Sequence, residues 1–216
     1  MTSGFVVALL GAESTGKTTL ASELHAVLAA EGRRVALVPE VLREFCHREG
    51  RTPVASEQAG IAAEQTRRIE AAAAVHDIVI ADTTALMIAV YSHLLFADTS
   101  LYEHAEAAQR RCGLTLLTAL DLPWQADGLQ RDGPHVREPV DALVRASLQR
   151  AGLPYAVVAG SGADRCAAAL KALRHALAAP SEDDEARANP PWRWICERCG
   201  DVDCERHLLP RDSGPT

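Results

Sequence analysis

Apolar residues along this chain alternate between short continuous runs and helically spaced positions. Continuous runs predict strands buried on both faces, whereas spacing by three or four residues predicts helices. The predicted strands are residues 5–10, 34–38, 77–81, 114–120 and 155–158. The predicted helices are residues 20–31, 41–49, 56–75, 84–96, 102–112, 140–151 and 170–177.

Strands and helices therefore alternate along most of the chain. Such alternation predicts an α/β fold built from right-handed βαβ units, with a mainly parallel sheet between two layers of helices. Residues 121–137 contain Gly, Pro and charge and predict a loop, and the composition changes again at Pro180. We expect a domain over residues 1–179, an acidic Pro-rich linker over 180–191 and a Cys-rich tail over 192–216.

Composition excludes several classes of protein. Of the 216 residues, 48% are hydrophobic and 24% charged, which excludes wholesale disorder. The net charge of -7 argues against broad binding to nucleic acid or to an anionic membrane surface. No apolar run approaches the roughly 18 residues of a membrane span, and no signal peptide is visible. We therefore expect a cytoplasmic protein with reduced thiols at Cys46, Cys112 and Cys166.

A glycine-rich motif follows the first predicted strand. It reads Gly11-Ala-Glu-Ser-Thr-Gly16-Lys17-Thr18 and precedes a helix. Glycines let successive backbone N–H groups point at a polyphosphate, and the helix adds its positive end. Lys17 would contact the β- and γ-phosphates, and the Thr18 hydroxyl would ligate Mg²⁺. The alternative is a glycine-rich turn that matches by chance. The predicted ATP-binding residues are Gly11, Ala12, Glu13, Ser14, Thr15, Gly16, Lys17, Thr18 and Thr19.

Glu40, Asp82 and Asp121 follow the second, third and fourth predicted strands, and the carboxyl ends of such strands form the ligand-binding edge of a parallel sheet. Asp82 is a candidate Mg²⁺ ligand, with a helix N-cap as the alternative. Glu40 is a candidate general base that would accept the proton of an acceptor hydroxyl. Its alternative is a surface ion pair with Arg43, which is itself a candidate substrate-binding residue.

The loop after the fourth strand carries a second group of candidates. Asp121 and Asp127 would bind sugar hydroxyls, and Trp124 would stack on a flat ring or simply pack in the loop. Arg131 and Arg137 would close over the transferred phosphoryl group and stabilise its charge, or be ordinary exposed arginines.

The tail contains a third pattern. Cys196, Cys199, Cys204 and His207 offer three thiolates and one imidazole, a donor set that suits tetrahedral Zn²⁺. The alternative is a tail of reduced thiols that binds no metal.

These motifs together resemble the nicotinamide riboside kinase domain of the NadR-like P-loop kinases, over about residues 4–177. The matching segments are residues 11–19, 38–45, 81–84, 90–92 and 121–133, of which Asp-Leu-Pro-Trp-Gln-Ala-Asp-Gly is the most specific. The resemblance implies a nucleoside-kinase-like fold with strand order 2-3-1-4-5. It also implies transfer of the ATP γ-phosphate to the 5′-hydroxyl of nicotinamide riboside, with Lys17, Thr18 and Asp82 serving ATP and Mg²⁺. The family's adenylyltransferase and DNA-binding activities are not implied by this segment.

Three functions compete at this point. The first is an ATP-dependent nucleoside kinase. The second is a P-loop ATPase that acts as a regulatory switch through its tail, for which Gln65 is a candidate water-orienting residue. The third is a metal sensor or adaptor in which the nucleotide is structural. The carboxylates and arginines around the phosphate loop favour the kinase, with a nucleoside as its partner and no nucleic acid or membrane.

Overall fold

A computed structural model describes residues 3–125 and 133–178. Five parallel strands form one sheet in the order β2-β3-β1-β4-β5. The strands are β1 (Phe5–Leu10), β2 (Val35–Val38), β3 (Ile78–Asp82), β4 (Leu114–Thr118) and β5 (Ala156–Val158). The helices are α1 (Lys17–Ala30), α2 (Val41–Glu49), α3 (Ala55–Ala73), α4 (Ala85–Phe96), α5 (Tyr102–Gln109), α6 (Arg137–Arg150) and α7 (Gly162–Ala178). The predicted fold class and strand order are confirmed.

The two faces of the sheet are covered by different helices. Successive strand residues point to opposite faces, so Val7 and Leu9 of β1 pack with α1 and α7, while Leu10 packs with helices of the other layer. That other layer is built around α4, in which every residue from Ala85 to Val90 is buried. Burial on both faces explains why β1 and β3 are nearly continuous apolar runs.

Strand register places the predicted site at one edge of the sheet. Leu9 of β1 lies beside Asp82 of β3, and Leu10 lies beside Leu117 of β4. The loop after β1, the end of β3 and the end of β4 therefore meet. The fold delivers the glycine-rich loop and Asp82 to the same place although 64 residues separate Thr18 from Asp82.

Most differences from the predicted elements lie at the ends. Helix α7 begins at Gly162, well before the apolar positions that predicted it, because its first turns are rich in Ala and bury Cys166 and Ala169. The predicted loop over residues 121–137 gives way to a short 3-10 turn at Pro134–Val136 and to α6 at Arg137. The predicted linker (180–191) and tail (192–216) lie outside the described residues.

Candidate active site

The loop between β1 and α1 turns sharply, and glycine is required where it begins. Gly11 has φ 144°, and a Cβ there would lie 2.1 Å from the Thr118 hydroxyl of β4. Gly16 ends the loop in the left-handed conformation, with φ 78°. Side chains are strained at both φ values, and at Gly11 there is also no room for one. The glycine spacing of the motif is thus a consequence of backbone geometry.

Hydrogen bonds within this loop fix its shape, and we call residues 11–18 the phosphate cradle. The Thr15 hydroxyl donates to the Ala12 carbonyl at 2.7 Å, and Lys17 Nζ donates to the same carbonyl at 2.8 Å. Gly16 provides no side-chain cap for α1. The positive end of α1 and the Lys17 ammonium therefore lie together, an arrangement that suits a polyphosphate.

Asp82 faces this cradle from the end of β3. Thr18 Oγ1 donates to Asp82 Oδ2 at 2.6 Å, whereas Oδ1 is buried and has no hydrogen-bond partner among the described residues. The N-cap of α4 is Thr84, whose hydroxyl accepts from the Leu86 N–H. Asp82 is therefore not the cap of this helix. A hydroxyl beside a carboxylate with an unpaired oxygen is a hard-oxygen donor set of the kind that Mg²⁺ prefers.

Glu40 lies between β2 and α2, close to the same cradle. Burial raises the pKa of Glu40, and the carboxylate of Asp82 raises it further, while Lys17 and Arg43 lower it. Arg43 pairs with Glu40 Oε2 at 3.3 Å, so the predicted ion pair exists. The pair is long and only partly buried, and it does not prevent Glu40 from facing the cavity described next.

A cavity of about 450 Å³ opens beside the cradle, within the usual size range of small-molecule sites. Four parts of the chain line it. The phosphate loop contributes Glu13, Ser14 and Lys17; α2 and the residue before it contribute Glu40, Leu42, Arg43 and Cys46; the segment into α3 contributes Thr52, Pro53, Val54 and Gln58; and the region of α4 contributes Thr83, Met87, Tyr91, Leu95 and Phe96. We call this space the acceptor cavity. It brings together Glu40, Arg43 and Lys17.

The structure places two other candidates elsewhere. Asp121 accepts from Arg165 Nη1 at 3.0 Å and from the Gly160 N–H at 2.5 Å, and Trp124 Nε1 donates to Glu13 Oε1 at 2.9 Å. Neither Asp121 nor Trp124 is among the described residues that line the acceptor cavity. Asp121, which follows β4, thus connects that end of the strand to Gly160 and to Arg165 of α7. Trp124 connects its loop to Glu13 of the phosphate loop.

Of the two predicted lid arginines, Arg137 is among the described residues and Arg131 is not. Arg137 begins α6 and is buried, yet its Nε and Nη2 have no hydrogen-bond partner among the described residues. Buried guanidinium N–H groups without a partner suit an anion. Arg131 and Asp127 lie outside the described residues, as do Cys196, Cys199, Cys204 and His207. No cluster of metal-ligating side chains is found within residues 3–125 and 133–178.

Sequence reasoning missed two residues of this region. Arg165 of α7 is buried and donates to the Thr15 carbonyl of the phosphate loop at 2.7 Å, across 150 positions of sequence. Gln58 of α3 lines the acceptor cavity. A signal for Gln58 was available, because it lies on the same helical face as the apolar Ile61 and Ile69.

Comparison with known proteins identifies a family for this chain. A family model described as an AAA domain matches residues 6–165, which include the phosphate loop, Glu40, Asp82 and Arg165. The chain belongs to this family. Among curated proteins, no relative matches the sequence of this AAA-domain protein significantly.

Solved structures share the fold of this AAA-domain protein at low identity. NadR protein in complex with NAD and AMP-PNP is 20% identical with a TM-score of 0.62, and NadR in complex with NR is 19% identical with a TM-score of 0.64. Each match covers 83% of this chain and 51% of the NadR chain, so the chain spans about half the length of NadR. Thymidylate kinase from Ehrlichia chaffeensis is 16% identical with a TM-score of 0.58, covering 80% of this chain and all of that one.

These similarities confirm the resemblance at the level of fold: the chain has the architecture of P-loop kinases. Within the described residues, no helix is both long and apolar enough to cross a bilayer.

Proposed function

We propose that this protein is an ATP-dependent phosphotransferase that phosphorylates the 5′-hydroxyl of a nucleoside, with nicotinamide riboside as the leading acceptor. The observation that carries this proposal is the acceptor cavity, in which a partly buried carboxylate, Glu40, faces a phosphate cradle containing Lys17. A P-loop protein that only hydrolyses ATP has no need of such a cavity beside its phosphates.

The proposed reaction is a direct phosphoryl transfer. The acceptor hydroxyl oxygen forms a bond to the γ-phosphorus, the bond from that phosphorus to the β–γ bridging oxygen breaks, and ADP leaves with the electron pair. Glu40 takes the proton of the hydroxyl as a carboxylate. Lys17 and the amides of the phosphate loop hold the phosphates, and Arg137 would neutralise charge on the transferred group together with Arg131.

The residues around Thr18 also fit Mg²⁺. Thr18 Oγ1 and the unpaired Oδ1 of Asp82 would hold the ion directly or through water. When bound, the ion neutralises charge on the β- and γ-phosphates. Asp82 additionally fixes the Thr18 hydroxyl at the first turn of α1.

The charges of the acceptor cavity favour a nucleoside over a nucleotide. Two acidic residues, Glu13 and Glu40, and two basic residues, Lys17 and Arg43, line it. Lys17 would be occupied by ATP and Arg43 pairs with Glu40, so the described residues that line the cavity leave no cation assigned to an acceptor phosphate. An acceptor that is neutral or cationic, such as nicotinamide riboside with its pyridinium ring, fits this balance. Tyr91 and Phe96 add aromatic surface, which attracts flat cations.

One observation counts against the ATPase switch. Gln65, the candidate for orienting water, uses its carboxamide within the protein: Oε1 accepts from the Val41 N–H at 2.8 Å, and Nε2 donates to the Pro39 carbonyl at 3.3 Å. This side chain joins the start of α2 to α3.

The test is ADP production from Mg-ATP by the full chain, with and without nicotinamide riboside, together with mass detection of nicotinamide mononucleotide. We expect ADP production to depend strongly on the acceptor and to match the mononucleotide formed. Equal rates with and without any nucleoside would overturn the kinase proposal. Acceptor dependence with a different nucleoside alone would retain the kinase and replace its substrate.

A further inference from the structure

Helix α3 carries two buried glutamines seven residues apart on one face, and they differ in whether the protein satisfies their hydrogen-bonding groups. Gln65 is 0% exposed and its carboxamide bonds to backbone groups of neighbouring segments. Gln58 is 2% exposed, but its Oε1 has no hydrogen-bond partner among the described residues. Burying a carboxamide oxygen without a partner costs free energy, so a group from outside the described residues is expected to pair with it.

Gln58 lines the acceptor cavity, which identifies where that group would come from. On the same cavity, α4 presents Met87, Tyr91 and Leu95. These apolar and aromatic side chains suit a flat ring better than a hydroxyl-rich sugar. Because Glu40 and Lys17 mark the end of the cavity where the 5′-hydroxyl must lie, the ring of the acceptor would occupy the part between α3 and α4.

We propose that Gln58 hydrogen-bonds the amide edge of the acceptor's base and thereby selects an acceptor that carries such an edge. This inference rests on the proposed function. A carboxamide offers one acceptor oxygen and N–H donors, so its complement is a primary carboxamide or a lactam, which offers a donor and an acceptor side by side. A carboxylate at the same position offers no donor to Oε1. Gln58 is thus a specificity residue, and it takes no part in proton or phosphoryl transfer.

The experiment compares matched acceptors in the wild-type chain and in Gln58→Met, which keeps the length and bulk of the side chain without its polar atoms. The first pair is nicotinamide riboside and nicotinic acid riboside, which differ only in carboxamide against carboxylate. The second pair is uridine and N3-methyluridine, in which a methyl group replaces the N–H of the base. The measured quantity is the ratio of kcat/KM values within each pair.

We expect the wild-type chain to prefer the amide-bearing member of the pair it accepts. In Gln58→Met this preference should fall by at least about tenfold, mainly through a higher KM for the amide-bearing member, with kcat nearly kept. The melting temperature without ligands should not fall, because the substitution removes a buried polar group that lacks a partner.

Gln65→Met is the matched control. It removes a carboxamide of equal burial from the same helix, but one that the protein itself satisfies. Its melting temperature should fall, while the amide preference should remain as in the wild type.

The outcomes separate this inference from the proposed function. A wild-type chain that acts on an acceptor, with the same amide preference in Gln58→Met, overturns the role of Gln58 and leaves the kinase intact. Equal loss for both members of a pair assigns Gln58 to the ribose or to the fold, and also overturns the inference. Turnover of uridine alone replaces nicotinamide riboside, and the uridine pair then decides the role of Gln58. A wild-type chain that acts on none of the four acceptors overturns the inference about Gln58, whereas the kinase proposal falls only if no nucleoside raises ADP production.

Discussion

At the residue scale, Lys17 supplies the positive side-chain charge that the phosphate loop offers to the phosphates. Its Nζ is held by the Ala12 carbonyl at the loop's entrance, next to the positive end of α1. In Lys17→Ala we expect turnover to fall at least about a hundredfold, because the phosphates lose their point charge. The melting temperature should hold, since Lys17 is only partly buried.

Lys171→Ala is the control for this change. Lys171 is an exposed lysine of α7, and its loss removes the same charge from the molecule without touching the loop. Turnover in Lys171→Ala should equal the wild type. An active Lys17→Ala, measured in the same assay, would contradict the assignment of the phosphate loop.

Glu40 gives a prediction about pH. Burial raises the pKa of Glu40 above its ordinary value, and a base must be a carboxylate to accept a proton. Activity should therefore decline on the acid side through a limb that lies above the usual range of a glutamate. In Glu40→Gln the turnover should fall by about 10²–10⁴-fold and that limb should vanish. The measurement is the pH profile of kcat/KM.

Glu44→Gln provides the comparison for Glu40. Glu44 lies on the same helix and pairs with Arg68 at 2.6 Å, away from the acceptor cavity. Its variant should keep the acid limb. The free energy of unfolding, measured against pH, tests the same pKa independently. Because the pKa of Glu40 is raised in the folded state, Glu40 contributes its whole stabilising effect at low pH, where it is protonated. That contribution is lost as pH rises through the folded-state pKa. A limb that persists in Glu40→Gln would assign the base to another residue.

At the element scale, α7 supports the phosphate loop through one side chain. Arg165 donates to the carbonyls of Thr15 and Gly160, both at 2.7 Å, and pairs with Asp121. In Arg165→Met these carbonyls lose their partner, and we expect a loss of roughly 2–4 kcal/mol of stability with weaker Mg-ATP binding. Chemical denaturation and calorimetry measure the two effects.

Arg174→Met tests whether the effect belongs to the loop or to any arginine of α7. Arg174 pairs with Glu31 at the surface, and both side chains are substantially exposed. Its replacement should cost less than about 1 kcal/mol and leave nucleotide binding unchanged. Equal effects from the two substitutions would mean that Arg165 has no special relation to the phosphate loop.

The elements themselves were largely predictable because their signals are local. Burial on both faces requires a continuous apolar run such as β1. A positive φ and the close approach of the Thr118 hydroxyl require glycine at position 11. The strand order came from the resemblance. Arg165 was not predicted, because its role depends on contacts between segments far apart in sequence. The buried face of Gln58 follows from helical spacing, but the cavity that Gln58 lines depends on other segments. Similarly, the bonds of Asp121 to Arg165 and Gly160 depend on how β4 meets α7.

At the scale of the whole molecule, the apolar cores lie on the two faces of the sheet, whereas the candidate site lies at the edge where the strands end. One face is covered by α1 and α7 and the other by the layer around α4. The phosphate loop, Asp82 and Glu40 all lie where strands end at one edge. Among the described residues, those that line the acceptor cavity away from the phosphate loop belong to α2, α3, α4 and the segments next to these helices, so the choice of acceptor can change there without altering the sheet.

The tail adds a prediction that is independent of this chemistry. Cys196, Cys199, Cys204 and His207 lie outside the described residues, but three thiolates and one imidazole suit a tetrahedral zinc site. The full chain purified without added metal should hold about one equivalent of zinc, and Cys199→Ser should lose most of it. Cys112→Ser is the control, since burial raises the pKa of Cys112 to about 11 and disfavours its metal-binding thiolate. Zinc content below about a tenth of an equivalent in the wild-type chain would leave the tail without a structural metal. Because the phosphate loop and the acceptor cavity are built from other residues, that result would leave the kinase proposal intact.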